Sequence, residues 1–392
     1  MEKREPGKKL SRGEFLKIAA LAVVSLILKA CSRLGLNGYD GTPSGGIDVV
    51  SSPPVEEPTT TEEPTPTAEP TGTEAPAPTL EPTATSEDGA KVAFVKVDDR
   101  FEGVHRAIDL LGINPVKGKQ VFLKPNYNSA YLAPSTTHPD VLRALVLKLQ
   151  EMGAAKITVG DRTSDTRGVM RMLGVFSLAE ELGFDVVAFD EMGVEDWVMI
   201  HPPDSHWKDG FPFARPILEA DVVVQACCLK THESGGHFTI SLKNSVGMVA
   251  RRVPGEKHDY MAELHTAGIR ERIAEINTAY EPALILMDGV RAFSHGGPTV
   301  GTKIRPGVVL AGTDRIAIDA VGVAILRYFG TTLEVSRGAI FEQDQIARAV
   351  ELGLGVEGPE KIEIITDDEH SAIYAQEIRR VLMHYSSAAP NL

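Results

Sequence analysis

From Lys91 onward, short runs of β-forming residues alternate with amphipathic helical stretches, and this alternation limits the chain to few architectures. The extended runs lie at 92–97, 120–125, 156–160, 185–189, 221–228, 283–287, 307–311 and 361–365. Between two of them, residues 139–152 place apolar side chains at Val141, Leu142, Leu145, Leu147 and Leu149, and 269–279, 316–328 and 340–352 read as further helices. Parallel neighbouring strands need a helical crossover, so the pattern predicts an α/β fold. Residues 283–287 and 222–224 are apolar without alternation, as strands covered on both faces should be. The expectation is one large domain over 90–392, a mainly parallel sheet with helices on both faces. Residues 197–216, with adjacent prolines at Pro202 and Pro203, read as an insertion or a small β excursion.

The first ninety residues are of another kind. Lys3, Arg4, Lys8, Lys9, Arg12 and Lys17 precede an apolar run at 18–28, the layout of a bacterial export signal and too short for a spanning helix. Residues 11–17 resemble a twin-arginine signal with Gly13 where the second arginine belongs. Leu28, Ala30 and Cys31 resemble a lipoprotein processing box, so residues 1–31 are expected to be a signal with Cys31 as the lipid attachment site. An uncleaved hydrophobic anchor would give the same membrane outcome. Residues 32–89 are rich in Pro, Thr and Glu and cannot bury enough apolar surface to offset their ordering entropy. They are expected to be a disordered acidic tether, which puts the folded domain on the extracytoplasmic side of the cell envelope.

The net charge of −14 argues against a nucleic-acid partner, which would need a basic face. Cysteines are only Cys31, Cys227 and Cys228, too few for a disulfide framework, and no C-x-x-C run is present to hold an iron–sulfur cluster.

In open α/β sheets ligands sit beyond the carboxyl ends of the strands. Charged and amide residues recur at those positions: Lys124 and Asn126, Asp161, Lys230 and His232, and Asp288. Downstream, Lys243 and Asn244 stand beside Ser245 and Gly247. A lysine costs free energy to bury unless it meets an anion, so Lys124, Lys230 and Lys243 together point to a small anionic ligand. Taken singly, each is as readily a surface lysine, and Asn244 a capping residue. His232 suits a general base, because an imidazole needs little tuning near neutral pH. His232 and His237 with Asp161 or Asp288 are an alternative metal set, although the spacing of the histidines matches no familiar ligand pattern. Cys227 and Cys228 read as small core residues, with nucleophilic use as the other possibility. Residues 296–301 are either a phosphate cradle or a tight turn, and Arg251, Arg252, Lys257 and His258 either a lid or a solvated face.

Lys124-Pro125-Asn126, Gly160-Asp161, 229–232, 241–247, Asp288-Gly289 and the stretch from Asp314 through Asp319 resemble, in order, the DUF362 family, a set of prokaryotic proteins named for a domain without assigned function. The resemblance runs from about Val92 to Ile365. Some members carry a ferredoxin-like cluster domain. This chain has none of its cysteines, so no iron–sulfur cluster is expected and the resemblance names no other cofactor.

Two functional classes fit these residues. In the first, the protein is an enzyme acting on a small phosphate- or carboxylate-bearing substrate. Lys124, Lys230 and Lys243 hold the anion, Asn126, Asn244 and Asp288 contribute to binding, and His232 or Asp161 moves a proton. In the second, a tethered protein captures the same ligand without chemistry. A metal or redox accessory role rests on family association alone.

Overall fold

The computed structural model describes residues 89–384. The expected export signal, Cys31 and, but for Gly89, the tether lie outside the described residues.

All eight expected strands form, within a residue or two at their starts. They are β1 (Ala90–Lys96), β2 (Gln120–Lys124), β3 (Lys156–Asp161), β4 (Asp185–Ala188), β7 (Val222–His232), β9 (Pro282–Gly296), β11 (Val308–Gly312) and β12 (Ile362–Ile365). They lie side by side in the order β12-β1-β11-β9-β7-β2-β3-β4. Every neighbouring pair is parallel except the two made by β11. That exception has a local cause, since β9 and β11 are joined by the short hairpin strand β10 (Gly301–Ile304), which returns the chain in the opposite sense. A second short strand, β8 (His237–Thr239), folds back on β7, and the excursion at 197–216 is a separate two-stranded ribbon, β5 (Trp197–Ile200) with β6 (Phe211–Ala214).

Helices cover both faces. One layer of apolar side chains includes Val121, Leu123, Val224 and Ala226 of the strands, Leu142, Leu145 and Leu149 of the helix Pro139–Glu151, and Val104 and Ile108 of the helix Arg100–Leu111. On the opposite face, Val223, Cys227 and Leu229 pack with Ile273 of the helix Ile269–Ile276 and with the helix Arg315–Tyr328, which is buried along nearly its whole length. Alternate residues of β7 thus serve two cores, and this is why its sequence carries no polar face.

The chain order makes one crevice special. From β2 the crossovers run outward through β3 to β4; the chain then returns to β7, and from there the next main strand, β9, lies on the other side. The helix between β2 and β3 and the helix between β7 and β9 therefore lie on opposite faces, as right-handed crossovers in opposite directions require. Between β2 and β7 the strand order reverses, and the carboxyl ends there are free to flank a ligand.

Candidate functional site

At that reversal, register sets Leu123 beside both Val159 of β3 and Val224 of β7. Lys124 and Asp161 consequently meet where β2 and β3 end. Lys124 Nζ lies 2.8 Å from Asp161 Oδ1, with side chains 1% and 3% exposed. Asp161 also accepts the backbone N–H of Tyr127 on Oδ2 and of Arg162 on Oδ1, both at 2.7 Å. Gly247 allows this pair to be covered: a Cβ there would stand 2.2 Å from Asp161 Oδ1 and 2.8 Å from Lys124 Nζ. Burial still lowers the Lys124 pKa, against the opposing pull of Asp161.

Lys230 comes from β7, which the sequence reading ended at Cys228 but which continues to His232 through pairing with β8. Its Nζ donates to Asn126 Oδ1 at 2.6 Å and to the carbonyl of Ser135. Asn126 in turn donates through Nδ2 to Asn244 Oδ1 at 3.2 Å, and Asn244 Nδ2 donates to the Lys124 carbonyl at 3.3 Å. These two amides link the lysine frame together.

Lys243 arrives differently. It sits on the single helical turn Ser241–Asn244, whose first N–H groups are accepted by the buried carboxylate of Asp319, at 2.7 Å for Ser241 and 3.3 Å for Leu242. Ser241 Oγ donates to Gln225 Oε1 at 3.0 Å, and Asn277 Nδ2 donates to the Leu242 carbonyl at 3.0 Å. A turn too short to stand alone is thus held by three other elements. Lys243 is 6% exposed, yet its Nζ makes no hydrogen bond or ion pair among the described residues. Gly236 lies against it; a Cβ there would meet Lys243 Cε at 2.5 Å.

These side chains line one pocket of about 80 Å³, room for a phosphate- or carboxylate-sized group, with Lys124, Arg162, Lys230 and Lys243 facing a lone carboxylate, Asp161. Three polar atoms of its wall are buried without a partner: His232 Nδ1, Thr239 Oγ1 and Arg162 Nε. Burial holds Lys230 down to about 8; burial and the neighbouring Lys230 charge do the same to Lys243. Burial, with Lys243 and Lys230 close by, pulls His232 down to about 2, so its imidazole is neutral. Excess cations and unsatisfied donors around a small cavity are the physical opposite of what a cation or apolar ligand needs.

Of the residues expected at the site, Lys124, Asn126, Asp161, Lys230, His232, Lys243 and Asn244 all line this pocket. Asp288 does not. Its apolar run ends at Met287, whereas β9 runs on to Gly296, so Asp288 lies mid-strand, 2% exposed, and pairs with Arg100 Nε at 2.8 Å. His237 turns instead to Arg270, with its Nε2 3.3 Å from the guanidinium. Among the described residues no group of three or more His, Cys, Asp or Glu converges to hold a metal. Cys227 and Cys228 are both buried, and burial pushes the Cys228 thiol up to about 11, which disfavours a nucleophilic thiolate. Arg251 and Arg252 reach out to Asp259 at 3.1 and 3.0 Å and are exposed, forming a solvated face outside the pocket. Residues 296–301 form the β9–β10 hairpin turn, and only Pro298 of it reaches the pocket wall. Arg162, Thr239 and Tyr127 also line the pocket and were not among the expected site residues; Arg162 adjoins the Gly160-Asp161 motif, and Gly247 lies within the motif at 241–247.

A family described as "Domain of unknown function (DUF362)" matches residues 121–324, a stretch that contains every lysine of the pocket. The chain belongs to the DUF362 family. A thylakoid-associated protein, sll1697, of Synechocystis sp. (strain ATCC 27184 / PCC 6803 / Kazusa) is 28% identical over 220 residues, 55% of this chain and 65% of that one. The match thus spans a little less than two thirds of that relative. Among solved structures, the lactate racemase apoprotein from Thermoanaerobacterium thermosaccharolyticum covers 73% of this chain and 85% of its own, at 12% identity and a TM-score of 0.35. Overlap that slight says nothing of a shared reaction. Within the DUF362 match, the conspicuous stretch 314–319 is not in the pocket at all: Asp314 caps the helix Arg315–Tyr328, and Asp319 caps the turn that carries Lys243.

Proposed function

We propose that this DUF362 protein is an enzyme acting on a small substrate that carries a phosphate or carboxylate, bound with its anionic end in the pocket between β2 and β7. The observation that supports this most directly is the imbalance of the wall, four basic side chains to one carboxylate that already accepts from Lys124 and two backbone N–H groups. Lys230, Lys243, Arg162 and Thr239 supply donors to the anion, and Lys124 with Asp161 forms the rigid floor. His232, unpartnered at Nδ1, is the group placed to exchange a proton with bound substrate: burial first, and the charges of Lys243 and Lys230 second, depress its pKa, and an anion beside it would offset the lysine part. A protein that only captures the anion does not need a group able to exchange a proton there.

The cell envelope is the proposed location, with residues 1–31 as signal and Cys31 as lipid attachment site. The basic and apolar order of that segment supports it, as does the description of the Synechocystis relative as thylakoid-associated. No helix of the described residues is long and apolar enough to cross a membrane, so anchoring would rest on the amino terminus.

Isothermal titration of the full-length protein with phosphate and with small carboxylates tests the anion reading. Saturable binding that weakens about 10- to 100-fold in Lys243→Met, the loss expected for one charge-assisted contact, supports it. Equal affinity in the variant and the native protein would overturn it.

A further inference from the structure

The three buried lysines of the pocket differ in one respect. Lys124 is tied to Asp161 and to the Pro125 carbonyl at 2.6 Å, and Lys230 to Asn126 and Ser135, but Lys243 Nζ has no acceptor among the described residues. A purely electrostatic lysine would gain by having one, since an unpaired buried ammonium is costly. The surroundings also keep the amine accessible. Its carbon chain packs along Gly236, where any larger residue would displace it, and its end faces the pocket.

We propose that Lys243 is a covalent nucleophile that forms an imine with the carbonyl group of the anionic substrate, which makes the substrate class an anionic carbonyl compound such as a 2-oxo acid or a phosphorylated aldehyde. This rests on the anion-site reading above. The step balances without any further reagent. The ammonium first releases one proton to solvent; the free amine then adds its lone pair to the carbonyl carbon, giving a carbinolamine. Loss of one molecule of water, made of the carbonyl oxygen and two hydrogens, leaves the C=N bond, and uptake of one proton gives the iminium. The iminium keeps the positive charge of the original ammonium, so the anion retained by Lys230, Arg162 and Thr239 loses no electrostatic partner. Burial and the charge of Lys230 hold the Lys243 pKa at about 8, so a useful fraction of the amine is free near neutral pH, as a nucleophilic lysine requires.

The test is to treat the full-length protein with glyoxylate, reduce with borohydride, and map carboxymethylated lysines by peptide mass spectrometry. Lys243 is expected to be labelled about 10-fold faster than any exposed lysine, with a rate that levels off above about pH 8 where exposed amines continue to rise. Excess sulfate should protect it. Lys243→Arg should lose that adduct while the surface pattern stays unchanged, which also reports that the variant is folded. Labelling confined to exposed lysines, with sulfate still raising the melting temperature, would overturn the imine and leave the anion site standing. Labelling confined to exposed lysines with no sulfate response would overturn both.

Discussion

The carboxylate of Asp319 accepts the backbone N–H of Ser241 at 2.7 Å, across 78 residues of sequence. Through that bond the long buried helix Arg315–Tyr328 fixes the turn on which Lys243 stands. Asp319→Ala should therefore cost about 1–2 kcal/mol, the usual loss for a helix cap, and weaken anion binding although residue 319 touches no ligand. Burial raises the Asp319 pKa to about 7 from an ordinary 3.8, opposed by the N–H donors. Between those values the folded state holds a proton that the unfolded chain has released. The contribution of this group is fully present below about pH 4 and is lost as pH rises through about 7. Asp319→Asn should flatten that part of the stability profile in urea unfolding followed from about pH 5 to 8; an unchanged slope would contradict the assignment.

Lys124 and Lys243 should respond oppositely to the same substitution. Lys124→Met strands the Asp161 carboxylate in the interior and should cost about 3–5 kcal/mol. Lys243→Met removes a buried cation that has no partner and should stabilise the empty protein by on the order of 1–2 kcal/mol, at the expense of ligand binding. Urea midpoints of the two variants decide this directly.

Sulfate keeps its charge across the range in which these lysines titrate, which makes it a clean probe of pH dependence. Lys230 and Lys243 have pKa values lowered to about 8, and both must be protonated to attract it. The rise in melting temperature produced by sulfate should be largest below pH 8 and fade above it, with a midpoint displaced upward by the bound anion. A response that persists unchanged to about pH 10 would place the bound anion elsewhere.

Two glycines offer a contrast between frame and access. Gly247→Ala forces a methyl group to 2.2 Å from Asp161 Oδ1, where little can move, and should destabilise by about 1–3 kcal/mol. Gly236→Ala collides only with the flexible end of Lys243 at 2.5 Å, so thermal stability should change little while sulfate affinity falls. Melting curves with and without sulfate separate the two effects.

The strands and most of the pocket were legible because each rests on a local signal. Apolar runs stop at Lys124, Asp161 and Lys230, and such stops mark the rim of a parallel sheet. What misled was strand length. β7 and β9 continue past their apolar runs because β8 and β10 fold back to satisfy their backbone, a non-local pairing that periodicity does not report. Asp288, next after an apolar run, therefore looked like Lys124 but is paired with Arg100 inside the sheet. The neutral state of His232 was equally invisible, since it depends on burial and on lysines brought near by folding. Asp319 was conspicuous in sequence, yet its role as a cap for a remote turn follows only from the packing of its helix.

Lys124, Asp161 and Lys230 are carried by central strands, whereas Pro298 and Asn128 reach the pocket from a hairpin turn and a connecting loop. The Lys124–Asp161 pair and part of the rim are thereby carried by separate stretches of chain, so the two turns can be rewritten without moving the pair at the end of the sheet.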